Sequence, residues 1–143
     1  GVTLVDPDIL ATRLSRLREA LKQLRRIGSE DVNAYLASEV DCALSEHYLR
    51  LALEAMLDIG NHIICAEGWR KPLQYREIPL TLADHEVLSP ALAKKLASSV
   101  GLRNRLVHGY TDIDHEMIYQ VIQDNLSDLV AFADAVVAFG VEE

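Results

Sequence analysis

Residues 6–28 read D-P-D-I-L-A-T-R-L-S-R-L-R-E-A-L-K-Q-L-R-R-I-G, and within this run Leu10, Leu14, Leu17, Leu21 and Leu24 recur at alternating spacings of four and three. An α-helix turns once in about 3.6 residues, so these five leucines form one stripe while the arginines and lysine between them face away. Asp6 ahead of Pro7 has the chemistry of an N-cap with proline in the first turn, where its missing N–H costs nothing. Gly28 after Ile27 fits a C-terminal stop. The stretch predicts one amphipathic helix with both ends written locally.

The same periodicity continues outward. Ser29 and Val32 open a short helical piece towards Ala37, and residues 38–41 bend or interrupt the chain. Residues 42–65 carry Leu44, Tyr48, Leu51, Ala55, Ile59 and Ile63 on a helical stripe, with Gly60 inside it as a place for another helix to pack closely. Residues 68–79 contain Trp69, Pro72, Tyr75 and Pro79 and predict a loop over one end of the fold; a helical stretch begins at Thr81. Ser89 and Pro90 start another run, in which Leu92, Leu96, Val100 and Leu106 repeat until Gly109 ends it. From about Asp114 to Phe139 a last stripe holds Ile118, Ile122, Leu129, Phe132, Val136 and Phe139, interrupted once by Asn125.

No alternating strand pattern and no internal repeat stands out, so helices must bury their stripes against helices. The expectation is all-α: an antiparallel helical bundle of four to six helices, forming a single domain over residues 1–143. The near-heptad stripes also suit a homodimer.

Half of the 143 residues are hydrophobic, yet no run approaches the roughly 20 apolar positions of a membrane helix. With no basic-then-apolar leader pattern the expected location is cytoplasmic, with no membrane contact. Cys42 and Cys65 lack metal or redox spacing and read as reduced, buried thiols. The formal charge of −8 argues against a surface that grips nucleic acid through many phosphate contacts. A nucleic-acid contact must therefore be local.

The run R-N-R-L-V-H-G-Y, residues 103–110, offers such a place. Arg103 can hold a phosphodiester through paired hydrogen bonds and oppose the charge of a five-coordinate transition state, with Arg105 adding positive potential. His108 can move a proton near neutrality. RNA carries its own 2′-hydroxyl nucleophile, so a base, an acid and a cation suffice without a metal or cofactor. Five positions separate Arg103 from His108, roughly 140° on an ideal helix, so they cannot share one face. Either the helix ends before His108, or the two groups meet across a dimer interface; one His per chain suits a site built by two protomers. Asp112, Asp114, His115 and Glu116 are better explained by a helix N-terminus than by a metal. On residues alone, a plain bundle with incidental Arg, His and Tyr also fits. Trp69 and Tyr75 read more readily as loop aromatics folded over the core than as base-stacking rings, and His47 and His85 have no constellation around them.

The pattern R-N-x-x-x-H-x-Y followed by an acidic helix start resembles the signature of the HEPN superfamily, and within it the chain resembles the HepT toxin family. The likeness takes in the first helix, D-I-G-N-H at 58–62, S-P-A-L-A-K-K-L-A at 89–97, G-L-R-N-R-L-V-H-G-Y at 101–110 and D-I-D-H at 112–115. It implies a homodimeric, metal-independent endoribonuclease of a toxin–antitoxin pair, with Arg103 and His108 catalytic and Asn104 a polar helper. It raises Asp58 and Asn61 as supporting residues facing the dimer cleft. It also implies an MntA-like nucleotidyltransferase antitoxin as partner, which transfers AMP to Tyr110 and so fills the cleft with phosphate charge and bulk. A different function stays open beside this one: a non-catalytic helical partner or substrate-binding subunit of a nucleotidyltransferase.

Overall fold

A computed structural model describes residues 3–108 and 112–140, and these form six helices in the order α1 (Pro7–Gly28), α2 (Val32–Ala37), α3 (Glu39–Glu67), α4 (Glu77–Asp84), α5 (Pro90–Val107) and α6 (His115–Gly140). Four long helices build the bundle, as the apolar stripes predict; α2 and α4 are short braces. None of the described helices is long and apolar enough to cross a membrane.

The Asp6 carboxylate accepts from the Asp8 and Ile9 N–H groups, which makes it the N-cap of α1. Leu10, Leu14, Leu17, Leu21 and Leu24 are all buried. Each such leucine contributes about 1.5–3 kcal/mol relative to an exposed one, so this stripe is the main reason α1 stays on the bundle. Thr3 Oγ1 donates to Glu67 Oε1 at 2.5 Å, and Arg13 pairs with Asp58 at 3.3 Å, so α1 runs antiparallel to α3.

Gly28 departs from its expected role. It is the last residue of α1, capped by Ser29 in an ordinary right-handed conformation. Its small size is what matters: a Cβ there would stand 2.6 Å from Ile122 Cγ2, and the Gly28 carbonyl accepts from Gln123 Nε2 at 2.7 Å. At the opposite end, a Cβ on Gly140 would stand 2.8 Å from Leu10 Cδ2. The two close approaches make α1 and α6 antiparallel. The left-handed stop belongs instead to Gly68, at φ 71°, with Gly68 N–H and Trp69 N–H returning to the Cys65 and Ile64 carbonyls.

Ser29 does not open α2; Asp31 caps it, accepting from Asn33 and Ala34 N–H. Ser38 then caps α3 through the Asp41 N–H. Tyr35 is fully buried beside Ile27 and Cys42, and its hydroxyl lies 2.7 Å from Ser45 Oγ. Burial pushes this phenol up to about 12.

The central helix is buried more widely than one stripe. Leu44, Tyr48, Leu51 and Ala55 are only half-buried, while Leu49, Ala52, Leu53, Met56 and Leu57 are the fully enclosed residues. Gly60 does sit under a close neighbour, since a Cβ there would meet Ile78 Cγ2 at 2.5 Å and Leu82 Cδ1 at 3.3 Å on α4. Cys42 is buried as expected, but Cys65 is exposed, because it lies on the outward side of the last turns of α3.

The expected loop over 68–79 is shorter. Helix α4 starts at Glu77 and includes Pro79 within its first turn, where the absent N–H would have had no intrahelical acceptor. In α5, Ser89 accepts from Leu92 N–H, with Pro90 at the start. In α6, Asp114 Oδ1 accepts from Glu116 and Met117 N–H, and Leu126 carries the buried stripe past the position where Asn125 turns outward.

Candidate active site

Helix α5 ends at Val107, and His108 is its C-cap, with the His108 N–H donating to the Asn104 carbonyl at 3.1 Å. The helix thus terminates before His108, which is one of the two ways the 103–108 spacing can bring its groups to one site. Arg103 stands on the preceding turn. Tyr110, together with Gly109 and Thr111, lies outside the described residues.

Arg103 borders a cleft of about 1240 Å³ formed by α3, α5 and the loop before α4. Its side chain is 18% exposed. Nη2 lies 3.2 Å from Glu54 Oε2, and Nη1 donates to Asn104 Oδ1 at 3.1 Å. The Glu54 carboxylate is shared, because Arg50 Nη1 holds its other oxygen at 2.8 Å. The Arg103 guanidinium carbon also sits 5.1 Å from the ring centroid of Tyr75. Its Nε is buried with no hydrogen-bond partner among the described residues. A buried donor without an acceptor costs about 1–3 kcal/mol.

The expected supporting residues divide. Asp58, Asn61 and Asn104 all line the same cleft as Arg103, although they come from two helices far apart in sequence. Asn104 touches Arg103 directly; Asp58 is engaged by Arg13 at 3.3 Å on the other side of α3. His108 is not among the residues lining this cleft, and Arg105 is exposed away from it. The positive charge that accompanies Arg103 comes instead from Lys71 and Arg76 of the preceding loop. His62, next to Asn61, is held below the ordinary imidazole range by burial, reinforced by Arg13.

Glu54 and Tyr75 are the neighbours of Arg103 that the motif does not announce. Glu54 had one visible signal, its four-residue spacing from Arg50. Trp69 folds over the core, stacked on His85 at 3.8 Å and packed edge-on to Phe139 at 6.1 Å, whereas Tyr75 stays 55% exposed. His85 is therefore a packing partner. His115 Nε2 lies 2.7 Å from Glu46 Oε2, and Asp114 is occupied as a helix cap, so both have structural roles at the start of α6.

Residues 17–136 match the family model described as Ribonuclease HepT-like. The chain belongs to this family. A relative named tRNA nuclease HepT, from Aphanizomenon flos-aquae, is 35% identical over 121 residues, covering 85% of this chain and 82% of that protein. The mRNA nuclease HepT of Shewanella oneidensis is 25% identical over 134 residues, covering 92% and 98%. Among solved structures, a tri-AMPylated Shewanella oneidensis HEPN toxin in complex with an MNT antitoxin matches with a TM-score of 0.83 at 25% identity, over 92% of this chain and 98% of that one. The cytosolic protein YutE from Bacillus subtilis, described as of unknown function, has the same fold at a TM-score of 0.83 and 22% identity, over 99% of both chains. Membership of the HepT-like family makes this chain an endoribonuclease.

Proposed function

We propose that this HepT-like chain is the toxin of a toxin–antitoxin pair and cuts RNA without a metal, through Arg103 and His108 in a cleft completed by a second protomer. The observation that carries this reading is the Arg103 guanidinium, set in a large cleft one turn before the helix end that bears His108 and oriented there by Glu54 and Asn104. Arg103 takes the non-bridging phosphate oxygens and opposes the charge that builds on them. An imidazole removes the 2′-hydroxyl proton, the 2′ oxygen attacks phosphorus, and the bond to the 5′ oxygen breaks as that oxygen gains a proton. The products are a 2′,3′-cyclic phosphate and a 5′-hydroxyl. Each chain brings one His108, so the base and the acid are the two copies across the dimer. Asn104 steadies Arg103, and Asp58 and Asn61 shape the far wall.

Purified protein is expected to cleave bulk RNA in the presence of chelator, and His108→Ala to lower the rate by about 10²–10⁴-fold. Absence of cleavage by the wild-type chain would leave a non-catalytic partner of a nucleotidyltransferase as the better reading.

The Shewanella oneidensis relative was solved AMPylated and bound to an MNT antitoxin. We extend that pairing to this chain, with an MntA-like nucleotidyltransferase as partner and Tyr110 as acceptor. An adenylyl group two residues from His108 brings a phosphate and a bulky base to the catalytic run and competes with substrate phosphate. Co-expression with the nucleotidyltransferase and ATP is expected to add adenylyl masses to the intact chain and silence cleavage. Tyr110→Phe removes both effects; masses that persist in Tyr110→Phe place the modification elsewhere.

A further inference from the structure

We infer that the Tyr75 ring is a stacking shelf for one unpaired base of the RNA, placed beside the phosphate that Arg103 holds. This rests on the ribonuclease reading and adds to it what the cleft recognises: a single-stranded segment whose base next to the cut is turned out.

The two loop aromatics have opposite fates. Trp69 is partly buried, with one face of its ring covered by His85 and an edge contact to Phe139, and it does not line the cleft. Tyr75, six residues on, is 55% exposed and lines the cleft itself. Nothing in the core requires that exposure; a phenol ring in this position has an apolar body left in water. The Arg103 guanidinium lies 5.1 Å from the ring centroid, so the shelf and the phosphate-binding group are in contact before substrate arrives.

The shelf is also held in place. Glu77 Oε2 accepts from Leu73 N–H at 2.9 Å and from Gln74 N–H at 3.3 Å, and Ile78 N–H donates to the Tyr75 carbonyl at 3.1 Å. These bonds tie residues 73–75 to the first turn of α4. The loop residues Lys71 and Arg76 line the same cleft, on a chain whose net charge is −8. They put positive charge where the phosphates flanking the cut would run. A cleft of about 1240 Å³ exceeds the roughly 300–1,000 Å³ of a site for one small ligand, which leaves room for more than one nucleotide.

An aromatic face beside cations suits unstacked bases, because a duplex keeps its base faces covered. Every base has a π-face, so the shelf selects for single-strandedness and not for one base.

The test maps the cut in bulk tRNA and then uses a single-stranded oligoribonucleotide of that sequence with 2-aminopurine beside the cut. Tyr75→Phe keeps the ring face and is expected to rescue most of the binding that Tyr75→Leu loses. Tyr75→Leu is expected to raise KM by roughly 10- to 100-fold with a smaller change in kcat. In a His108→Ala background, quenching of 2-aminopurine on binding should appear with Tyr75 or Phe and vanish with Leu. Equal KM and equal quenching for Tyr75→Leu overturns the shelf while leaving the ribonuclease reading intact. A fall in kcat alone, with quenching unchanged, overturns it too and makes Tyr75 a prop for Arg103. A wild-type protein that cleaves no RNA overturns the function itself, and the shelf with it.

Discussion

Replacing Arg103 by alanine is expected to lower kcat for RNA cleavage by about 10²–10³-fold, the usual cost of losing one preorganised group that opposes transition-state charge. The loss falls mainly on kcat, because the negative charge on the equatorial oxygens is greatest when phosphorus is five-coordinate. Arg103→Lys is expected to recover little of it. A lysine offers a point charge on a flexible stem, whereas the guanidinium holds fixed donors already oriented by Glu54 at 3.2 Å and Asn104 at 3.1 Å. The folded state should tolerate both changes. The Glu54 side chain left behind is 31% exposed and keeps its 2.8 Å pair with Arg50, so its charge is neither buried nor alone. Steady-state kinetics beside a thermal melt checks this: a variant that melts like wild type and still turns over within a few-fold of it removes Arg103 from the chemistry.

The largest effect on stability is expected from Phe132→Ala. Phe132 is fully buried on α6 within the main core cluster. Truncation removes its transfer free energy and leaves a cavity that the surrounding helices only partly collapse into, a loss of about 3–5 kcal/mol. A domain of this size has roughly 5–15 kcal/mol in total, so the variant should unfold at much lower urea with its m-value unchanged. Trp69 is the chain's single tryptophan, stacked on His85 at 3.8 Å, and its emission reports the transition. Measurements belong at one protein concentration, since the stability of the proposed dimer would depend on it. A shift worth less than about 1 kcal/mol would mean that the core repacks around the smaller side chain.

Helix ends were the most legible features. Asp6, Ser89 and Asp114 act on N–H groups two or three residues away, so their effect is contained in the local sequence. The stripe on α1 was equally plain, because that helix has one wet side and one dry side. Helix α3 is dry over much more of its circumference, with few exposed positions such as His47, Asp58 and Cys65. It is packed by α1, α4, α5 and α6, and of the stripe that sequence spacing selected, Ile59 and Ile63 are fully buried while Leu44, Tyr48, Leu51 and Ala55 lie at its half-buried margin. A helix enclosed on most sides carries too little contrast between faces for periodicity to find the inner one.

The same division runs through the site. Arg103, Asn104 and His108 lie within six residues, so the candidate chemistry, and the choice between a helix end and a dimer contact, could be read from the sequence; the structure supplies the helix end. Glu54 is 49 residues from Arg103, and Tyr75 belongs to a loop whose residues follow no period; only packing brings them to the guanidinium. Gly28 makes the point in the backbone. Its residue type announced a stop, but whether it served as a left-handed cap or as space for Ile122 depended on where α6 came to lie. The sequence by itself determined the long helices, the caps at Asp6, Ser89 and Asp114 and the candidate catalytic run, because those depend on near neighbours along the chain. The tertiary structure alone decided which α3 face is enclosed, what holds Arg103 and which loop aromatic is left open, because those depend on surfaces meeting across the bundle.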